Sequence, residues 1–195
     1  MTFLILGLAI FLGAHSVRIL AGDWRAAQIA RLGENGWKGV YSLVSATGLG
    51  LITWGYGLAR AETPVLWSPP TALRHLAAGL VLPAFILVVA AYLPGTRIKA
   101  NIGHPMVAGV KLWALAHLMA NGSLADMTLF GAFLAWAVAD FVSARRRDRA
   151  VSRSYPVLGG SRDAIAIGIG FGAWVLFAFH GHAWLIGVQP FRIGG

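Results

Sequence analysis

Six long apolar stretches alternate with polar connections along the 195-residue chain. Each stretch approaches the roughly 20 residues that an α-helix needs to cross about 30 Å of hydrocarbon. The fourth is the shortest, so we expect it to tilt against its neighbours or to be extended at its start. The pattern predicts an all-α fold, a polytopic membrane helix bundle that forms a single domain over residues 1–195. The six predicted transmembrane helices are Thr2 to Ile19, Val40 to Leu58, Ala72 to Tyr92, Pro105 to Ala120, Leu124 to Val142 and Ala164 to Gly187.

The composition supports a membrane protein. The chain is 57% hydrophobic and only 12% charged, which leaves too few charges to cover a water-soluble globule of this size. Because it contains no Cys, disulfides, thiolate chemistry and Cys-based haem attachment are excluded. The apolar N-terminus has no basic residue before its apolar run and no clear cleavage site, so we interpret it as a retained span rather than a signal peptide.

The basic residues predict the orientation of these helices. The first, third and fifth connections, with their flanks, hold twelve Lys and Arg, whereas the opposite side holds three, namely Arg60, Arg74 and Arg192. Since connections rich in Lys and Arg remain in the cytoplasm, both termini are expected outside. The same distribution explains the net charge of +9 without a nucleic acid partner.

The fourth apolar stretch carries the candidate chemistry. Pro105 fits the first turn of a helix, and Asn121 with Gly122 is a good stop signal. Ionisable side chains inside a membrane span are costly and therefore indicate function. In and beside this stretch they are His104, Lys111 and His117.

Two histidines on different helices are candidate iron ligands. His15 on the first helix has small neighbours and Phe11 at i−4, and His117 has Trp113 at i−4; residues at this spacing share a helix face. Neutral imidazole suits iron, and two imidazoles can ligate a haem from opposite faces inside a helix bundle. A carbonyl or Asn121 would accept a hydrogen bond from the second ring nitrogen of His117. The alternatives are a helix-end hydrogen bond for His15 and an interhelical hydrogen bond for His117.

The depth of the two histidines leaves the ligand pair open. Counting residues places His15 nearer the inside and His117 nearer the outside, about 10 Å apart in depth. A haem held by both would need a tilted axis, a displaced fourth helix or a different ligand. The reserve ligands are His104 and His180; otherwise we interpret the histidines at the outer helix ends, His75, His180 and His182, as interface residues.

Three cations are candidate partners of the haem propionates, namely Lys111, Arg18 and Arg97. Asp140 is an alternative partner of Lys111. A third interpretation is that Lys111 extends along the apolar helix to the cytoplasmic surface.

Three motifs together resemble the NnrU family over nearly the whole chain. They are Ala14-His15-Ser16, the Gly33 to Ser45 stretch, and the run His104-Pro-Met-x-x-Gly109-x-x-Leu-Trp113-x-x-Ala116-His117-x-x-x-Asn121-Gly122. The resemblance implies a multi-pass protein of the bacterial inner membrane that is linked to nitrite and nitric oxide reduction in denitrification; in that membrane, termini on the outer side, as the basic residues predict, are periplasmic. The 15-cis-zeta-carotene isomerases are relatives that use haem b. Their motif histidines match His15 and His117, which implies haem b as the cofactor here.

The resemblance also leaves an enzyme as the alternative function. That enzyme would be a redox-gated cis/trans isomerase of a polyene, with a lipid-like substrate. The isomerase-like pattern has a Cys three residues before the second histidine, where this chain has Ala114, so a thiolate ligand is impossible. A weaker similarity links Gly103 to Gly109 with the Arg-His-Pro-x-Tyr-x-Gly segment of membrane methyltransferases, but the Arg and Tyr are missing.

Overall fold

The computed structural model describes residues 1–191 and confirms the all-α prediction. Within those residues there is no strand, only an isolated bridge between Val65 and Ser123. Arg192, which the charge count assigns to the outer side, lies outside the described residues. The helices are α1 (Thr2–Leu20), α2 (Gly22–Glu62), α3 (Thr71–Tyr92), α4 (Arg97–Ile102), α5 (Pro105–Ala120), α6 (Leu124–Ala150), α7 (Gly160–Leu176), a π-helical turn (Phe177–Gly181) and α8 (His182–Ile186).

Four helical stretches are long and apolar enough to cross a membrane. They are Thr2–Leu20, Thr71–Tyr92, Leu124–Ala150 and Gly160–Ile186, and they correspond to the first, third, fifth and sixth predicted spans. α5 has 16 residues, a length of about 24 Å, which is short of the hydrocarbon thickness. The second predicted span is helical, but Gly, Ser and Thr are frequent in it and lower its hydropathy. The structure therefore supports a membrane protein with four candidate spans.

Two predicted polar connections contain helix: the first is helical over residues 22–39, and the second, after Val142, is helical in part. Residues 22–39, expected as a polar connection, belong to α2, which is broken at Gly33 (φ 73°, ψ 164°). Only glycine adopts this backbone conformation readily. The break divides α2 into two helices, residues 22–32 and 34–62. Likewise, the helix expected to end at Val142 continues to Ala150.

The chain divides into two compact units. The first comprises Met1–Trp67 with Gly122–Asp140, and the second Ser68–Asn121 with Phe141–Gly195, described as far as Phe191. In the first unit α1 packs along α2, and in the second α3 packs against both α5 and α7. His15 belongs to the first unit and His117 to the second.

Close contact between α1 and α2 depends on glycines. A Cβ added to Gly48 would lie 2.8 Å from the backbone nitrogen of Phe11, and one added to Gly55 would collide with the backbone of Leu4. Small residues allow two helix backbones to approach closely. This seam places the face of α1 that carries Phe11 and His15 against α2.

We expect Gly55→Val to destabilise the first unit, because the new side chain must push α1 away from α2. Overpacking of this kind costs about 1–3 kcal/mol. Gly57→Val is the matched control, since a Cβ there meets nothing within 4 Å. Thermal unfolding in detergent measures the effect. Equal melting temperatures for the two variants would contradict the close helix contact.

Candidate functional site

His15 is oriented by its own helix. Its imidazole stacks on the Phe11 ring, with centroids 4.1 Å apart and planes inclined by 27°, as the i−4 spacing predicts. Its Nδ1 donates a hydrogen bond to the Phe11 carbonyl oxygen at 2.7 Å. Because a carbonyl oxygen can only accept, Nδ1 carries the proton and the lone pair of a neutral ring resides on Nε2.

His117 repeats this arrangement on α5. Its ring lies against the Trp113 indole, with centroids 5.1 Å apart, and its Nδ1 donates to the Trp113 carbonyl oxygen at 2.8 Å. Asn121 is not the acceptor; its side-chain amide donates to the His117 carbonyl at 2.8 Å. Of the two acceptors expected for the ring, the structure therefore selects the backbone carbonyl.

The hydrogen bond of each histidine, taken separately, is of the kind that metal-ligating histidines make. Metal-ligating histidines generally donate their other ring N–H to a carbonyl or carboxylate, which fixes the tautomer and the ring orientation. Both His15 and His117 do so through Nδ1. No group of three or more His, Cys, Asp or Glu that could hold a bare metal ion occurs in residues 1–191. A haem demands less of the chain, because the porphyrin supplies four of the iron ligands and two imidazoles complete the set.

The other histidines have different surroundings. His104 donates through Nε2 to Asp148 Oδ2 at 2.9 Å, whereas the hydrogen bonds of His15 and His117 to backbone carbonyls are made through Nδ1. His182 donates through Nδ1 to the Val188 carbonyl at 2.7 Å. His75 and His180 are exposed, and His180 lies on the π-helical turn.

The three candidate propionate partners occupy different environments. Arg18 and Arg97 are exposed, and the backbone amide of Arg97 donates to Asp163 at 3.2 Å. The Lys111 ammonium lies 3.7 Å from the centroid of the Phe141 ring, a cation–π contact. Lys111 thus has an aromatic partner in the second unit, one that the sequence pattern did not predict.

A polar cluster that sequence reasoning missed lies at the end of α6. Asp148, only 8% exposed, accepts through Oδ2 from both His104 and the Tyr155 hydroxyl, at 2.9 and 3.0 Å. Residues 44 positions apart meet here, and no local pattern marks such a contact. Partial burial, followed by the hydrogen bond to Asp148, raises the pKa of Tyr155 above its usual value of 10.0.

We expect alkaline pH to break the hydrogen bond between Tyr155 and Asp148 and so to lower the stability of the folded protein. Because the pKa of Tyr155 is raised on folding, the protonated hydroxyl stabilises the folded state below pH 10, and this contribution is lost as pH rises through the raised value. The measurement is an alkaline titration of the unfolding temperature, compared with Tyr155→Phe. The wild-type and variant curves should converge above the raised pKa. A constant difference at every pH would contradict the assignment.

A second missed cluster begins α6 in the first unit. Asp126, 7% exposed, accepts from the Ser123 backbone N–H at 3.0 Å, from the Ser123 hydroxyl at 2.7 Å and from the Tyr56 hydroxyl at 2.5 Å. In return the Asp126 amide donates to Ser123 Oγ at 3.1 Å. Ser123 and Asp126 thus form a capping box, and the Tyr56 hydroxyl adds a further hydrogen bond to Asp126. The Ser-x-x-Asp spacing before an apolar run was the sequence signal for it.

The first unit also holds an aromatic cluster beside a groove. The His15 ring lies 5.2 Å from Tyr41 and 5.8 Å edge-on from Trp136. The Trp136 indole nitrogen is buried without a hydrogen-bond partner among residues 1–191. Trp136 also lines an open, almost wholly apolar groove of about 570 Å³. Its other lining residues are Ile5, Leu8, Ala9, Leu12, Gly13, Ser16, Ile19 and Leu20 on α1, and Thr128, Ala132 and Ala139 on α6.

Comparison with known proteins gives one match. A family profile described as NnrU protein matches residues 3–190. No curated protein and no solved structure matches the chain. The match covers both histidines and both units.

Proposed function

The chain belongs to the NnrU family, and on this premise we propose that it binds one haem b. It does so as a multi-pass protein of the bacterial inner membrane, with six spans and periplasmic termini. In this proposal it supports the redox chemistry of nitrite and nitric oxide reduction. His15 and His117 supply the axial ligands.

The observation that carries the proposal is the shared tautomer of the two histidines. Each donates Nδ1–H to the carbonyl of residue i−4 and each rests against the aromatic ring of that same residue. Both rings are thereby held with Nε2 as the basic nitrogen, the form that ligates iron.

The other candidate residues would contact the porphyrin ring and the propionates of the haem. Phe11 and Trp113 fix the imidazole planes, and the exposed guanidinium groups of Arg18 and Arg97 are available to carboxylates. Lys111 would exchange its contact with the Phe141 ring for a propionate. Bound haem supplies one-electron redox chemistry, with a potential set by its axial ligands and by burial.

The test is the absorption spectrum of purified protein, recorded oxidised and after reduction with dithionite. We expect a red preparation with sharp alpha and beta bands on reduction, and a pyridine haemochrome assay that gives one haem b per chain. A colourless preparation that takes up no added haemin would contradict the proposal. If that preparation instead bound S-adenosylmethionine, it would favour a methyltransferase.

The groove favours polyene isomerisation as a second candidate function. Its volume of about 570 Å³ and its apolar lining along α1 and α6 suit a lipid-like ligand, since ligand pockets span about 300–1,000 Å³. Incubating the reduced protein with poly-cis carotenoids and following double-bond geometry by chromatography tests this function. Ala132→Trp, which narrows the groove, should then reduce turnover and leave the haem spectrum unchanged. If Ala132→Trp left turnover unchanged, the groove would not be the site that binds the polyene.

A further inference from the structure

A continuous series of aromatic rings leads from His15 to the surface of the first unit. The centroid of the His15 ring lies 5.2 Å from that of Tyr41, Tyr41 lies 6.5 Å from Trp37, and Trp37 lies 6.0 Å from Trp24. The last ring is 54% exposed, whereas Trp37 and Tyr41 are half-buried. The series therefore has one end at a proposed iron ligand and the other at the surface.

The break in α2 creates this series. Tyr41 and Trp37 are four residues apart on one helix face. Trp24 is thirteen residues before Trp37, which in an unbroken helix would place the two about 20 Å apart along the axis. The observed 6.0 Å between their centroids requires the chain to fold back at Gly33. The Arg25 guanidinium, 5.8 Å over the Trp37 ring, braces the returning helix.

We propose that Tyr41, Trp37 and Trp24 form a path for single electrons between a haem ligated by His15 and a one-electron carrier at the exposed Trp24. This inference rests on the proposed function. One pair of rings in the series is stacked and the other two are inclined or edge-on. Neighbouring π-systems at these distances provide electronic contact that saturated side chains do not. Tryptophan and tyrosine are also frequent at membrane interfaces, but that preference does not require the rings to touch one another.

The electron count is simple. A carrier of the reduced flavin class loses one electron at Trp24, and ferric iron at His15 gains it to become ferrous. No covalent bond forms or breaks, and no proton needs to move. The same ring contacts serve the reverse direction, from ferrous iron to an oxidised carrier.

The path can be tested without haem, because the chain has no Cys and accepts a single label site. Ala27→Cys places a ruthenium photosensitiser on an exposed position one turn from Trp24. After a flash in the presence of an electron-accepting quencher, the oxidised ruthenium should withdraw an electron through Trp24 and Trp37 from Tyr41. Tyr41 releases its phenolic proton to water, and transient absorption detects the tyrosyl radical.

We expect the tyrosyl signal to be lost in Trp37→Phe and in Tyr41→Phe, because phenylalanine is not oxidised under these conditions. Trp54→Phe is the matched control; Trp54 is an exposed tryptophan of α2 that contacts Phe3, outside the series. In haem-loaded protein, reduction of the iron by flash-reduced flavin should also be slower in Trp37→Phe. An unchanged radical yield in Trp37→Phe would overturn the path, whereas a normal radical signal in protein that binds no haem would overturn only the proposed function.

Discussion

Replacing His117 with Ala, and separately His15 with Ala, is each expected to abolish the six-coordinate haem spectrum. Each substitution removes one axial imidazole. The iron then keeps the four porphyrin nitrogens and one axial ligand, so it should become five-coordinate and high-spin. The local geometry predicts equal effects at both positions, because the two histidines share one tautomer and one kind of aromatic support. Absorption spectroscopy of the ferric and ferrous proteins measures the change.

Adding imidazole to the solution tests whether the lost spectrum reflects a missing axial ligand. Added imidazole should restore the six-coordinate spectrum in either Ala variant, since it refills the vacant position without restoring the side chain. His75→Ala is the control, because His75 is exposed. If both ligand variants kept the wild-type spectrum while His180→Ala or His104→Ala destroyed it, the ligand assignment would be wrong.

The largest loss of stability is expected from Asp126→Ala. This substitution removes the acceptor for Ser123 and Tyr56 together and leaves their donors without a partner at the start of α6. Loss of a helix cap combined with unsatisfied buried donors costs about 2–4 kcal/mol. Unfolding in detergent, followed by circular dichroism, measures the free energy lost.

Two further variants separate the cap from the tyrosine. Tyr56→Phe should cost about 1 kcal/mol, and adding it to Asp126→Ala should cost less than the sum of the two, because both remove the same hydrogen bond. Thr53→Val is the control, since Thr53 is exposed and its hydroxyl donates to the Leu49 carbonyl oxygen of its own helix. Full additivity would show that the 2.5 Å contact between Tyr56 and Asp126 contributes nothing.

The apolar helices were the ones that the sequence predicted well. α3 and α5 begin and end within one residue of the predicted bounds, because hydropathy reports the length of an apolar stretch and Pro105 marks a helix start. Hydropathy does not report helicity outside the membrane. The polar segment of residues 22–32 was therefore missed as a helix, although its fold at Gly33 brings Trp24 to Trp37.

In the candidate site, too, contacts between residues close in sequence could be predicted, and contacts between distant residues could not. The contacts of the Phe11 ring with His15 and of the Trp113 ring with His117 follow from the i−4 spacing, so the sequence predicted them. The contact of His104 with Asp148 joins distant parts of the chain and needed the tertiary structure. The capping box of Ser123 and Asp126 is local, so its spacing could have identified it.

Low-temperature electron paramagnetic resonance of the ferric protein distinguishes a haem iron ligated by two imidazoles from one ligated by a single imidazole. We expect a low-spin spectrum with the g-values of bis-imidazole ligation in the wild-type protein. A high-spin axial signal from haem-loaded wild-type protein, or a low-spin signal that survives the combined replacement of His15 and His117 by Ala, would contradict ligation by these two histidines.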